Sequence, residues 1–193
     1  MHAALHEFIK RHSTTPLTGS DLEAIDAAVV PRRFRKRQFL HQEGEVCDRI
    51  AFIMKGSMRQ YSVDNKGIEH VVALAIENWW VGDRASFEQQ VPSTYFVDAW
   101  EDTDALVITR DALLGLSAIP AIHEVRFLLS SNSAIELLHR VNTAISLTAE
   151  ERYAELEKQH PEFLQRFPQH IIASYLGMTK ETLSRVRSHS TKK

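Results

Sequence analysis

Several features are scarce in this sequence. Among its 193 residues there is one cysteine, Cys47, with only seven glycines and six prolines. A single thiol excludes an internal disulfide framework and any all-cysteine zinc or iron–sulfur site. It fits a reducing compartment, and Cys47 itself reads as an inert, half-buried thiol. The few glycines form no Gly-x-Gly-x-x-Gly, no P-loop and no Gly-x-Ser-x-Gly, so neither a phosphate-cradling loop nor a hydrolase elbow is present. No His-x-His pair occurs from His41 through His160. A metal-dependent enzyme of the cupin type would need one, followed by an acid and a later histidine. No metal site, no cofactor and no catalytic residue is therefore expected, and the chain is not read as an enzyme. The longest apolar run, Val71 to Ile76, falls far short of the ~20 residues of a membrane span. Met1 to His12 carries His2, His6, Glu7 and Lys10 and no apolar stretch, so no secretory leader is expected and the cytoplasm is the default compartment. Net charge is also small, with 23 Lys and Arg against 25 Asp and Glu, or −2. On that sum nucleic acid is not the first partner to propose. What remains is ordinary globular material, 44% hydrophobic and 25% charged, enough for one large domain or two small ones.

The texture changes twice along the chain. Up to about Ala28 it is helical, with Leu5, Phe8 and Ile9 on one face, then Leu22, Ile25 and Val29 after Ser20 as a cap. From about Arg32 to Ile108 it reads as short strands: Ile50 to Met54, Met58 to Val63, Glu69 to Ile76, Tyr95 to Trp100 and Ala105 to Thr109. Turn signals at Glu43-Gly44-Glu45, Lys55-Gly56, Asp64-Asn65-Lys66-Gly67 and Gly82-Asp83 separate them. That spacing predicts an antiparallel sandwich or barrel. Arg32 to Arg37 reads as an exposed basic strand at its start, and Trp79-Trp80 as core and pocket wall. After Arg110 the helical texture returns. Ile122, Val125, Phe127, Leu128, Leu129, Ile135, Leu137, Leu138, Val141, Ala144 and Ile145 recur at three and four residues. No Pro or Gly falls between Ala121 and His160, so one or two long helices are predicted. Such a stripe is wider than a small barrel covers and points to a partner helix from a second copy; the alternative is that it packs on its own barrel.

The most specific pattern is Gln169 to Ser188. Pro168 suits a helix start. Ile171, Ile172, Tyr175 and Leu176 form an apolar face, and Gly177 follows where a tight turn needs positive φ. Thr179 can cap the next helix, Glu181 acidifies its first turn, and Leu183 and Val186 pin it down. With small Ala173 at the crossing, this is the layout of a helix-turn-helix; the alternative is a plain helical hairpin. The outer face carries Lys180, Glu181, Ser184, Arg185, Arg187 and Ser188, of which Glu181, Ser184, Arg185 and Ser188 share one side. Arg185 is matched to the O6/N7 edge of guanine and Glu181 to cytosine N4. Lys180, Arg187, Lys192 and Lys193 suit phosphates. From Arg166 to Lys193 there are six Lys and Arg and one acid, a local charge of +5, so the rest of the chain carries −7.

Taken in order, Phe39-Leu-His-Gln-Glu-Gly-Glu, Ile50-Ala-Phe-Ile-Met-Lys-Gly-Ser, Asp64-Asn-Lys-Gly, Trp80-Val-Gly-Asp with Phe87, Val97-Asp-Ala-Trp-Glu-Asp and Thr179-Lys-Glu-Thr-Leu-Ser-Arg resemble the Crp/Fnr family of bacterial transcription factors over nearly the whole chain. The resemblance implies an α+β protein in three parts. Residues 1–116 would be a jelly-roll barrel of the cyclic-nucleotide-binding type, 117–147 a dimerisation helix, and 148–193 an all-α helix-turn-helix domain, with Glu151-Arg-Tyr near its start. It implies a homodimer that binds double-stranded DNA through Thr179, Lys180, Glu181, Ser184, Arg185 and Arg187, with a small-molecule effector of unspecified identity and no membrane partner. The family's phosphate-binding cassette falls on Gly82, Asp83, Arg84, Ser93 and Thr94. Its phosphate-holding arginine lands on Ser93, which cannot neutralise a phosphate, so the barrel is expected not to bind cyclic AMP. The lone Cys47 removes iron–sulfur sensing. Only His189 to Lys193 follow the second helix, so no hairpin wing is expected. Two alternatives stay open: a ligand-binding signalling module without productive DNA binding, and a cupin-type metalloenzyme.

Overall fold

The computed structural model describes residues 2–190, with side chains through residue 188. Two compact units are present: residues 1–62 with 73–131, and residues 63–72 with 132–193.

The first unit opens with α1 (Ala3–His12) and α2 (Gly19–Ala28). The cap of α2 is Thr18 rather than Ser20. Its hydroxyl accepts from Asp21 N at 3.2 Å, while the Asp21 carboxylate accepts from Thr18 N at 2.8 Å. That reciprocal capping box satisfies two orphan donors, which Ser20 could not do.

Eight strands follow: β1 (Val29–Phe34), β2 (Phe39–His41), β3 (Arg49–Lys55), β4 (Met58–Val63), β5 (Glu69–Ala75), β6 (Trp80–Val81), β7 (Phe96–Ala99) and β8 (Thr103–Thr109). They form two four-stranded sheets of order β1-β8-β3-β6 and β2-β7-β4-β5, the strand order of a jelly roll. The predicted turn Asp64 to Gly67 closes β4 onto β5, with Gly67 N donating to Asp64 O at 2.9 Å.

The pattern of β3 and β8 explains the architecture. Both are nearly unbroken apolar runs, as expected for strands covered on both sides. Ala51, Ile53, Ala105 and Val107 point between the sheets, where they meet Phe34, Leu40, Met58, Val97 and Ala99. Phe52, Leu106 and Ile108 point the other way, into a second core with Leu5, Ile9, Ile25, Leu116, Ile119, Ile122 and Val125. Gly56 turns the chain at φ +101°, and a Cβ there would lie 2.5 Å from Thr103 Oγ1. Only glycine fits that close approach.

Helix α3 (Arg84–Gln89) follows the Gly82-Asp83 turn signal, in a stretch to which the sequence pattern assigns no element. It forms because Asp83 caps it, accepting from Ala85 N at 3.0 Å and Ser86 N at 3.3 Å. After β8 come α4 (Arg110–Gly115), a 3-10 turn (Leu116–Ala118) and the 27-residue α5 (Pro120–Ser146). The apolar stripe of α5 divides in two. Ala121, Ile122 and Val125 are buried, whereas Phe127, Ile135, Leu137, Leu138, Val141 and Ile145 are exposed, Phe127 and Leu138 at 70% and Ile145 at 81%.

In the second unit α6 (Ala149–Gln159), α7 (Pro161–Arg166), α8 (Gln169–Tyr175) and α9 (Lys180–Ser190) follow. The break before α6 lies where there is neither Pro nor Gly. It is made by a second capping box, in which Thr148 N donates to the Glu151 carboxylate at 2.8 Å and Glu151 N donates to the Thr148 hydroxyl at 3.3 Å.

Candidate nucleic-acid interface

The α8–α9 pair is assembled around a small core. Ile171, Ile172, Ala173, Leu183 and Val186 are buried together with Tyr153 and Leu156 of α6 and Phe163 and Phe167 at the two ends of α7. Phe163 meets Phe167 and Tyr175 edge-on, at 5.7 and 6.0 Å, a favoured aromatic geometry. Helix α8 ends as the composition requires. Gly177 takes φ +65°, and Met178 N reaches back to Ala173 O at 2.9 Å, with Gly177 N on Ser174 O at 3.0 Å. These are the bonds of a Schellman-type C-cap. A further end carbonyl, Leu176 O, accepts from Arg152 Nη1 at 2.7 Å, a cation placed where the helix dipole favours one. The 63–72 segment of the β4–β5 hairpin is fastened to α8: Val71 N donates to Ser174 Oγ and Ser174 Oγ donates to Glu69 O, both at 2.9 Å. Arg140 of α5 donates to Val72 O and Tyr175 O and lies 4.3 Å above the Tyr175 ring.

Helix α9 starts at a capped end, where Thr179 Oγ1 accepts from Thr182 N at 3.2 Å. The Glu181 N–H and the Thr179 side chain hold the Glu181 carboxyl below its ordinary range. With Leu183 and Val186 turned into the core, Lys180, Glu181, Ser184, Arg185, Arg187 and Ser188 all face solvent, as does Thr179. This exposed face presents one carboxylate and three cations, the residue types that read base edges and phosphates. Lys192 and Lys193, the two remaining expected phosphate contacts, lie outside the described residues.

The five cassette positions are distributed differently. Gly82 sits at φ +152°, and a Cβ there would lie 2.7 Å from Ile50 Cγ2. Asp83 and Ser93 are buried and bonded to each other, Ser93 Oγ donating to Asp83 Oδ2 at 2.7 Å. Arg84 turns away, its Nε donating to Glu88 at 3.0 Å and its Nη2 to Ser130 Oγ of α5. Thr94 is exposed. The structure thus brings Asp83 and Ser93 together and separates Arg84 and Thr94 from them.

Two neighbours of this pair are more buried than their sequence suggests. Cys47 is fully buried rather than half-buried, and burial pushes its thiol up to about 11. It therefore stays a thiol, unfit as a metal ligand or nucleophile. His41 is buried with neither ring nitrogen bonded among the described residues. Desolvation lowers its pKa against the opposing pull of Asp83, Glu45 and Asp48. No group of three His, Cys, Asp or Glu residues able to hold a metal is found among the described residues. No helix among them is long and apolar enough to cross a membrane.

Comparison with known proteins gives a consistent frame. The family described as cyclic nucleotide-binding domain matches residues 31–118, which cover the eight strands from Pro31 onward. The anaerobic regulatory protein of Pasteurella multocida is 27% identical over 183 residues, covering 88% of this chain and 66% of that protein, so the chain spans just under two thirds of its length. The fumarate and nitrate reduction regulatory protein of Vibrio cholerae is also 27% identical over 183 residues, covering 88% and 72%. Among solved structures, FixK2 from Bradyrhizobium japonicum superimposes with a TM-score of 0.75 at 19% identity, over 85% of each chain. With the jelly-roll order, the long helix and the α8–α9 pair arranged as they are in sequence, the chain carries a cyclic nucleotide-binding domain over residues 31–118, shares the fold of FixK2, and is similar along most of its length to anaerobic and fumarate and nitrate reduction regulatory proteins, as the Crp/Fnr resemblance implies.

Proposed function

We propose that the protein is a homodimeric regulator that binds double-stranded DNA through α9, is not an enzyme, and works in the cytoplasm. The observation that carries this is the exposed face of Lys180, Glu181, Ser184, Arg185 and Arg187 on a helix whose opposite side is pinned by Leu183 and Val186. Arg185 is the guanine reader, with Glu181 and Ser184 beside it; Thr179, Lys180 and Arg187 fix register on phosphates. Residues 1–116 act as the sensor, 117–147 as the dimer helix and 148–193 as the DNA-binding head. The exposed stripe of α5 supports the dimer. Phe127, Ser131, Ala134, Leu138, Val141 and Ile145 follow one another at steps of four and three, the spacing of a two-helix seam. Two heads one DNA turn apart read a palindrome with half-sites about 34 Å apart. An effector would act by favouring one arrangement of α5 over another.

The test is a gel shift against genomic fragments with Arg185→Ala as its partner. The wild-type protein is expected to retard a palindromic subset. Arg185→Ala is expected to cost ~1–3 kcal/mol and relax preference at one base of each half-site. If neither protein retards any fragment at low salt, the DNA reading fails and a ligand-binding module without productive DNA binding takes its place.

The barrel is proposed not to bind cyclic AMP. Asp83 and Ser93 already satisfy each other, and a phosphate beside Asp83 would meet a carboxylate without a cation. Titration calorimetry is expected to show no binding tighter than about 1 mM; micromolar binding would overturn the assignment.

A further inference from the structure

A second concave site lies outside the cassette, in the first unit, where α3, α4 and the first half of α5 meet. It is a cavity of about 140 Å³ lined by Phe87 and Glu88 of α3, Arg110, Leu113 and Leu114 of α4, and Arg126 of α5. Its charges do not balance. Neither the Arg110 nor the Arg126 guanidinium has a hydrogen-bond or ion-pair partner among the described residues. The one acid in the wall, Glu88, already accepts from Arg84 Nε at 3.0 Å. The acid nearest along α5, Glu124, is engaged by Thr14 and Thr15 of the segment between α1 and α2. Arg84, also tied to Ser130 of α5, thereby neutralises Glu88 and leaves no acid of the wall for Arg110 and Arg126. Of the two guanidinium groups and one carboxylate in the wall, the carboxylate is thus already paired and both guanidinium groups are left.

Two like charges held beside an apolar wall repel each other, and the same charges attract an anion there more strongly than they would in open water. Guanidinium groups present paired N–H donors that match the two oxygens of a carboxylate or the face of a phosphate. The remainder of the wall is Phe87, Leu113 and Leu114, with Phe87 buried and Leu114 substantially exposed. A few polar groups converging on an apolar concavity is the common form of a small-molecule site. Its size sets the body of the ligand, since an apolar cavity of about 150 Å³ takes one benzene ring.

We propose that this cavity binds a small organic anion, one carboxylate or phosphate head on a compact body of about one aromatic ring. The head sits on Arg110 and Arg126, and the ring lies against Phe87, Leu113 and Leu114. Such a ligand joins α4 to α5, the helix that carries the exposed stripe, and lies apart from Asp83 and Ser93.

The experiment is calorimetric titration of the 193-residue chain at low salt with benzoate, phenyl phosphate and the neutral control benzyl alcohol. At least one of the two anions is expected to bind saturably, one per chain, and which of them binds better identifies the head group. Benzyl alcohol is expected to bind at least about tenfold more weakly, and Arg110→Ala and Arg126→Ala each to weaken the anion by about tenfold or more. Arg126→Gln, which keeps the stem of the side chain, is expected to do the same while leaving the melting temperature of the unliganded protein unchanged. The proposal is overturned if neither anion binds by about 10 mM, if benzyl alcohol binds as well as they do, or if Arg110→Ala/Arg126→Ala together leave binding intact. The readout involves no DNA, so its outcome is independent of the gel shift.

Discussion

Leu138→Glu is expected to convert the protein to a monomer that sediments near 22 kDa and to weaken operator binding by at least about a hundredfold. Leu138 is 70% exposed in the single chain, midway along the proposed seam that exposed Val141 and Ile145 would continue. In a two-fold pairing of α5 each copy contributes its own residue 138 near the axis, so one substitution places two carboxylates side by side in an apolar seam. Burying an unpaired charge is a cost of several kcal/mol per ion, and here the two ions also repel. A lone head keeps one half-site and loses the other, which removes about half of the base contacts. Analytical ultracentrifugation at micromolar concentration checks the first part and a gel shift the second. Glu136→Ala, at an exposed position off the seam, should leave both unchanged. A Leu138→Glu protein that still sediments at twice the chain mass would show that α5 is not the dimer helix.

Asp98→Ala is expected to lower the stability of the barrel by about 3–5 kcal/mol. Asp98 on β7 and Arg59 on β4 are register partners in the β2-β7-β4-β5 sheet. Their neighbours Met58, Val97 and Ala99 point between the sheets, so this pair lies on the other face. It is nonetheless buried, Asp98 at 3% and Arg59 at 6% exposure. The reason is aromatic cover: the Arg59 guanidinium lies 4.1 Å from the Tyr61 ring and 5.2 Å from the Trp100 ring, and Tyr61 stacks on Phe96. The pair is bidentate, with Nε on Oδ1 at 2.8 Å and Nη2 on Oδ2 at 3.1 Å. Removing the carboxylate takes both Asp98 acceptors from Arg59 Nε and Nη2 while the cation stays buried, which costs more than the pair itself contributes. Against a total of about 5–15 kcal/mol for a domain, the loss is a large share. Asp98→Asn keeps one acceptor and should fall between the two. Urea melts followed by circular dichroism, at one protein concentration throughout, check the series. A loss below about 1 kcal/mol would mean that the ring-covered site admits enough water to solvate Arg59.

The Arg59–Asp98 pair also shows how far the one-dimensional pattern reaches. Val97-Asp-Ala-Trp is legible as a family anchor, yet nothing in it announces why the aspartate stands there. Its partner is 39 residues away, and the two meet only because β4 and β7 pair in one register. The same limit applies to Arg84. Its place after Gly82 and Asp83 suggests a pocket, but which way the side chain turns is decided by Glu88 one helical turn on and by Ser130, 46 residues away. Helix α3 and the break at Thr148 are faint in the sequence for a milder reason. The first depends on one capping side chain, Asp83, and the second on the reciprocal pair Thr148 and Glu151, and periodicity over so few residues is weak.

The helix-turn-helix is plain from residue order alone because everything that makes it is local. Apolar spacing, a glycine at the turn and a threonine cap act within about one helical turn of themselves, so one short stretch contains cause and effect together. The +5 charge of the last 28 residues is legible for the same reason. Folding alone could divide the stripe of α5, burying Ile122 and Val125 while leaving Leu138 and Ile145 in water, and could gather Arg110 and Arg126 around one cavity. Those outcomes depend on which surfaces remain after the sheets and helices have covered one another, and that is a property of the packed chain rather than of any segment of it.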